Sequence, residues 1–251
     1  MNKPIALITG ATSGIGEATA RVLAASHRLI LCGRRTELLN NLQEELQGDT
    51  DVTTLSFDIR ERIEAEQALD SLDSHWQNIE VLINNAGNAH GLDFIQEGSV
   101  EDWEAMLDIN VKGLLYVSKK ILPGMIARKK GHVVNIGSIA GKEVYPKGNV
   151  YCASKFAVDA ITQGMRLDLN PYGIRVTEIK PGLVNTEFSE VRFKGDKARA
   201  AGVYEGYEPL TAPDIADTVR YVVLAPPHVT IAEMVVLPTA QASATLVNKN
   251  G

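Results

Sequence analysis

Tyr151 and Lys155 stand four residues apart in the stretch NVYCASKFAVDA at 149–160. Residues at that spacing share one face of a helix, so a phenol and an ammonium would enter the same space. Ser138 directly follows the apolar run HVVNIG at 132–137, and the loop between it and Tyr151 contains Gly141, Pro146 and Gly148. A hydroxyl, a phenol and an ammonium that converge suit hydride transfer at a carbonyl carbon. The oxygen develops alkoxide charge there and needs a hydrogen-bond donor and a proton source. A free phenol has a pKa of about 10, and a nearby ammonium favours the phenolate, so Lys155 is expected to lower the pKa of Tyr151. Taken singly, Tyr151 reads as a half-buried aromatic with a satisfied hydroxyl and Lys155 as a snorkelling surface residue. The set with Ser138 outweighs those readings.

Such groups must be positioned by regular elements. Short runs rich in Ile, Val and Leu recur at 4–9, 28–32, 53–57, 80–84, 132–137, 175–179 and 234–238, with helical segments between nearly all of them. The pattern predicts an α/β fold: a Rossmann-type, doubly wound, mostly parallel seven-stranded sheet with helices on both faces, a three-layer sandwich. Its ligand crevice lies at the carboxyl ends of the strands. No repeat or linker divides the 251 residues, so one domain over 1–251 is expected. The segment 182–209 is long, mixed in charge and dotted with glycine; it is either a substrate-binding lid within that domain or an exposed insertion.

The first predicted strand runs into TGATSGIGEATARVLA. Gly10, Gly14 and Gly16 there permit a tight turn and a close approach of backbone to a pyrophosphate at the start of a helix. Where an NAD enzyme would carry an acid at the end of the second strand, this chain has Arg34 and Arg35. Guanidinium groups bind a 2′-phosphate that an acid would repel, which predicts NADP(H). Asp58 ends the third strand, where it would accept from the adenine amino group or cap a helix. Asn85, Ala86 and Gly87 end the fourth, where backbone must pass close to the cofactor.

Composition excludes several other classes. The formal charge is −6 and the basic residues are dispersed, so nucleic acid and anionic membranes are not expected partners. There is no bilayer-length apolar run and no signal-like start, and the two cysteines, Cys32 and Cys152, suit a reducing cytoplasm. The five scattered histidines offer no metal-ligand spacing, so no metal is expected.

Taken together, TGATSGIG, NNAG at 84–87, Asn110, Ser138, YCASK at 151–155 and Pro181-Gly182 resemble the short-chain dehydrogenase/reductase family over essentially the whole chain. The resemblance implies that Tyr151 is proton donor and acceptor, that Ser138 orients the substrate oxygen, and that Lys155 also holds the nicotinamide ribose. It further implies that Asn110 helps to hold a water relay to the lysine. The cofactor contacts implied are Gly10, Thr12, Ser13, Gly14, Ile15, Gly16, Arg34, Arg35, Asp58, Ile59, Asn85, Ala86, Gly87, Tyr151, Lys155, Pro181, Gly182, Val184 and Thr186.

PGLVNTEFSEVRFKGD at 181–196 and LPTAQAS from Leu237 resemble the NADP-dependent branch that oxidises serine, allo-threonine and related 3-hydroxy acids. A small-molecule carboxylate would then need a cation, and Lys147, Arg192 and Lys194 are the three candidates beside Ser138. Two readings stand against this one: an NADPH-dependent reductase of neutral ketones or aldehydes, and a non-catalytic NADPH-binding regulatory protein. Relatives are usually homotetramers. Phe156, Ala157, Ala160 and Ile161 would supply either a subunit contact or ordinary core.

Overall fold

Strand β1 (Ile5–Thr9) is buried at all five positions, as a strand covered by helices on both faces must be. The computed structural model describes residues 3–249. After β1 the chain alternates α1 (Gly14–Ala24), β2 (Arg28–Gly33), α2 (Thr36–Leu46), β3 (Val52–Ser56), α3 (Arg62–Asp70) and β4 (Ile79–Asn84). It continues through α4 (Val100–Leu107), α5 (Leu114–Arg128), β5 (Gly131–Ile136), α6 (Asn149–Leu169) and β6 (Ile174–Pro181). The last third holds β7 (Val184–Asn185), α7 (Phe188–Arg192), α8 (Lys197–Gly202), β8 (Leu210–Thr211), α9 (Ala212–Val223) and β9 (Glu233–Val236).

Seven strands form one sheet in the order β3-β2-β1-β4-β5-β6-β9, and every pairing in it is parallel. Each expected apolar run becomes one of these strands, with ends displaced by no more than two residues. The order reverses between β1 and β4, and such a switch point opens a crevice beyond the strands' carboxyl ends. The segment 182–209 carries β7, α7 and α8, and β7 pairs with β8 in a small second sheet.

Side-chain alternation divides the core between the two faces. Leu7 packs with Val117, Ile121 and Met125 of α5 and Leu169 of α6, whereas its neighbour Ile8 packs with Leu23 of α1, Leu39 of α2 and Ile215 and Val219 of α9. Burying one such Leu or Ile contributes roughly 1.5–3 kcal/mol. Across the carboxyl half of the sheet runs a chain of buried amides: Asn84 donates to Asn135 at 2.9 Å and to Ser118 at 3.0 Å, and Asn135 donates to Thr162 at 2.8 Å. These bonds tie β4, β5, α5 and α6 together directly beneath the crevice.

Two histidines are buried in this frame. His27 shares a 2.8 Å bond with Ser26 and His132 one of 2.8 Å with Thr177. Burial pulls their pKa values down to about 4 and about 3. An unfolded histidine titrates near 6.5, so below that pH the unfolded chain takes up protons that the native chain refuses. The stabilisation is complete above pH 6.5 and is lost progressively as pH falls toward the folded values. Between pH 6.5 and 5 each histidine should remove about 2 kcal/mol, read as a falling urea midpoint. His132→Gln is expected to flatten that slope, and an unchanged slope would refute the assignment.

Candidate active site

The turn after β1 is built by glycine where nothing larger fits. Gly10 and Gly14 have φ of 67° and 54°, in the left-handed region. A Cβ on Gly16 would run into the carbonyl oxygen of Gly10 and the amide of Asn85. Asn85 in turn donates to the carbonyls of Thr9 at 3.0 Å and Gly10 at 3.1 Å, while Thr9 Oγ1 accepts from the backbone of Asn85 and Ala86 at 3.1 Å each. The ends of β1 and β4 are thereby locked side by side. Ser13 caps α1 in extended conformation without a side-chain bond to the helix, so the first-turn N–H groups face the crevice free of a side-chain partner.

The crevice is a cleft of about 540 Å³ at the carboxyl ends of β1, β2, β4, β5 and β6. From the glycine turn and the β2 end, Gly10, Thr12, Ser13, Gly14, Ile15, Arg34 and Arg35 line it. Ile59, Asn85, Ala86 and Gly87 form its floor, Ser138, Tyr151 and Lys155 its far end, and Pro181, Gly182, Val184, Thr186 and Arg192 its upper wall. Gly16, Asp58, Asn110, Lys147 and Lys194 are not among its walls. Gly16 supports the turn from behind, as described.

Arg35 donates to Thr12 Oγ1 at 3.0 and 3.2 Å and to Glu187 at 3.0 Å, joining the glycine turn to the start of α7. Arg34 is exposed, 3.5 Å from Asp58. The Asp58 carboxylate is gripped by Arg60, with contacts of 2.7 to 3.1 Å from its guanidinium and 3.0 Å from its backbone N–H. Burial works to raise the Asp58 pKa, but the Arg60 bonds outweigh it and hold the carboxyl below its ordinary value. The helix-cap alternative for Asp58 is overturned, because α3 begins at Arg62 and its cap position is Glu61. Asp58 closes a turn on Arg60 instead.

Asn110 lies in a single π-helical turn (Asp108–Gly113) between α4 and α5, a distortion that often marks functional sites. Its amide accepts from Asn88 N at 2.8 Å and donates to Asn88 O at 2.8 Å and Ser154 Oγ at 3.0 Å. This fastens the loop after β4 to α6.

Ser138, Tyr151 and Lys155 are all buried. Lys155 donates to the carbonyl of Ile136 at 3.0 Å, and its ammonium stands 6.0 Å from the Tyr151 ring centre. Burial lowers the Lys155 pKa to about 8, opposed by Glu178. The expectation that Lys155 depresses the Tyr151 pKa is corrected here: burial, reinforced by Tyr145, pushes the phenol up, and the groups that pull it down are Ser138, through a hydrogen bond, and Arg192. The reason is burial, because the Lys155 ammonium, bonded to Ile136 and 6.0 Å from the Tyr151 ring centre, and the Arg192 guanidinium, 5.7 Å from it and 5.4 Å from that of Tyr145, stand at similar range.

The other candidate cations have partners of their own. Lys194 pairs with Asp102 at 2.9 Å, and Lys147 stacks 4.5 Å over Phe94 while lining, with Tyr151 and Arg192, a small pocket beside the cleft. Arg192 is also anchored, donating to Gly91 O at 3.1 Å while its own carbonyl accepts from Gly91 N at 3.0 Å. Sequence reasoning missed Tyr145, Glu187 and Gln241. Tyr145 falls in the loop already singled out before Tyr151, and Glu187 directly follows Thr186. Gln241 accepts from Leu183 N at 2.9 Å and carries no local signal.

Glycine turn, basic β2 end, crevice at the switch point and buried Ser-Tyr-Lys set together define a dinucleotide-binding oxidoreductase. The match to the family described as short chain dehydrogenase spans residues 4–197, and the chain belongs to that family. It is 46% identical over 244 residues to the NADP-dependent 3-hydroxy acid dehydrogenase YdfG of Salmonella typhi, covering 96% of this chain and 98% of that one. It is 43% identical over 237 residues to the sulfoacetaldehyde reductase of Chromohalobacter salexigens, covering 94% of each. Among solved structures, the closed form of a serine dehydrogenase complexed with NADP+ superposes with a TM-score of 0.92 at 43% identity, covering 98% of this chain and 100% of that one.

Gly16→Ala tests the turn. A methyl there must displace Gly10 or Asn85, an overpacking that typically costs about 1–3 kcal/mol. The expected result is a lower melting temperature together with loss of dinucleotide binding in a fluorescence titration; native-like binding would refute the packing argument.

Proposed function

We propose that this enzyme interconverts a small 3-hydroxy acid, such as serine or allo-threonine, with its 3-oxo acid, using NADP(H). The observation that carries this reading is the Arg192 guanidinium over the Tyr151 ring, a fixed cation within reach of the proton-transferring phenol. The named relatives agree in chemistry, since 3-hydroxy acids and sulfoacetaldehyde each carry an acid group a short distance from the reacting carbon.

In this reading the glycine turn and the α1 N-terminus bind the pyrophosphate, and Arg34 and Arg35 bind the 2′-phosphate. The bound cofactor supplies or accepts the hydride. Ser138 donates to the substrate oxygen, and Tyr151 takes its proton in oxidation and returns it in reduction. Burial makes Tyr151 a poor acid by itself, and the Ser138 hydrogen bond and the Arg192 charge offset part of that effect on the proton it transfers. Lys155 holds the nicotinamide ribose, and Asn110 shapes the loop behind it. With serine, the 2-amino-3-oxo acid formed loses carbon dioxide spontaneously.

The same reading takes 1–251, whose first and last two residues lie outside the described ones, as a single catalytic domain in which 182–209 closes over the substrate. It also takes the chain as a cytoplasmic homotetramer. Phe156 and Ala160 are exposed on α6 and Ala157 and Ile161 half-buried, which supports a subunit contact over core packing. Among the described residues no helix is long and apolar enough to cross a membrane.

Arg192→Ala should lower kcat/KM for 3-hydroxy acids about 10- to 100-fold further than for a neutral alcohol, the value of a charge-assisted bond, since the neutral substrate loses only the effect of the cation on Tyr151. Equal losses on both would overturn the carboxylate role and favour the neutral-carbonyl reductase. Replacing Arg34 and Arg35 together by Ala should raise the KM for NADP+ about 10- to 100-fold with little effect on NAD+. A parallel loss with both cofactors would remove the 2′-phosphate assignment.

A further inference from the structure

Behind the site, on the neighbouring strand, lies a buried carboxylate that the reaction described above does not use. Glu178 of β6 is 1% exposed and stands in register with Asn135 of β5. One of its oxygens, Oε2, is 3.1 Å from the ammonium of Lys180. The other, Oε1, has no hydrogen-bond partner, and a Cβ added to Gly137 would collide with it. Gly137 separates Ile136, whose carbonyl takes the bond from Lys155, from Ser138. The free carboxylate oxygen is therefore pressed against the very segment of backbone that holds the Ser138 hydroxyl and the Lys155 ammonium.

Helix α6 lines up with this group. Tyr151, Lys155 and Asp159 recur every four residues on one face, and Asp159 meets Lys180 at 2.6 Å. Lys180, 0% exposed, also meets Glu233 of β9 at 2.6 Å, and Glu233 reaches Lys142 at 2.8 Å. The charged groups facing Glu178 are thus Lys180 from its own strand, Asp159 and Lys155 from α6, and Glu233 from β9 with Lys142 behind it. Lys180 is held by three carboxylates, whereas Lys155 has no carboxylate bond, only the carbonyl of Ile136 and the field of Glu178.

We propose that Glu178 is a positioning residue for the reaction, keeping Lys155 in its charged form from behind the strand that carries Ser138. A buried ammonium loses its hydration, and an anion nearby restores part of what burial removes. Burial pushes Glu178 itself up to about 7, with Lys180 opposing and Asp159 reinforcing, so Glu178 is mostly ionised at the pH of about 8 where Lys155 discharges. Gly137 is the packing condition for this arrangement, because any side chain there would drive the carboxylate away. The inference rests on the reading of Lys155 as a working cation of the site.

The test is the pH profile of kcat/KM for reduction of 3-oxopropanoate by NADPH, measured on the full chain between pH 6 and 10.5. The wild-type rate should fall on the alkaline side as Lys155 loses its proton, well before Tyr151 does. Glu178→Gln should move that fall to lower pH by about one unit, the size expected for losing one nearby opposite charge, with NADPH affinity at pH 6 within about twofold of wild type. Glu178→Asp, which keeps the charge, should restore at least half of the shift. A fall that does not move in the Gln variant, or moves equally in Gln and Asp, overturns the proposal. Glu178→Asn is the smaller neutral replacement with the same expected shift, and failure of both neutral variants to fold while Asp folds would make the residue structural and overturn it too. Lys155→Ala, run in parallel, separates the premise: turnover within tenfold of wild type would refute the role of Lys155 itself, whereas its loss beside an unmoved Glu178→Gln profile would refute only the inference.

Discussion

The bond from Lys155 to the carbonyl of Ile136 is the constraint around which the site is arranged. An ammonium taken out of water is costly unless its donors are used and an anion is near. Strand β5 supplies the acceptor at its last residue and β6 carries the buried carboxylate of Glu178, while α6 carries the lysine one turn after Tyr151. For that bond to form, α6 must lie across the ends of β5 and β6, which also brings the phenol over Ser138. This buried charge, with the Asn135–Thr162 bond and the Lys180–Asp159 pair, sets one helix against two strands.

The remaining walls are cross-tied by polar groups as well as by apolar packing such as Phe188 against Tyr151. Asn85 joins the ends of β1 and β4, Asn110 joins the loop after β4 to α6, and Arg35 bridges the glycine turn to α7. Arg192 closes the circuit through Gly91. Apolar contacts are non-directional and would leave a cleft's rim imprecise, whereas hydrogen bonds to backbone carbonyls set distance and angle. The bonds of Arg35 and Arg192 involve exposed or half-buried charges from the segment 182–209, so the upper wall is held less firmly than the floor beneath it.

Much of this was legible in the chain. Seven apolar runs became seven strands because a strand covered on both faces must be apolar throughout, and the glycine turn was readable because glycine adopts the left-handed φ values at Gly10 and Gly14 without steric cost. Ser138, Tyr151 and Lys155 could be found from their place at a strand end and one helical turn. The identity of the cation nearest the phenol could not be read. Lys147, Arg192 and Lys194 are all basic and sit within 48 residues of one another in sequence, yet Lys147 stacks on Phe94, Lys194 pairs with Asp102, and Arg192 lies over the Tyr151 ring.

What the sequence by itself determined was local: strand and helix periodicity, the glycine turn, the spacing of Tyr151 and Lys155, and the basic residues ending β2. Each of these depends on backbone sterics or on side chains a turn apart, where sequence distance equals spatial distance. Tertiary structure alone decided the electrostatics. The phenol rises because the fold buries it, Asp58 turns to Arg60, and Glu178 comes to abut Gly137 from the neighbouring strand, 41 residues further on. Charge acts through space and is scaled by how much water burial removes, and neither quantity exists until the chain has folded.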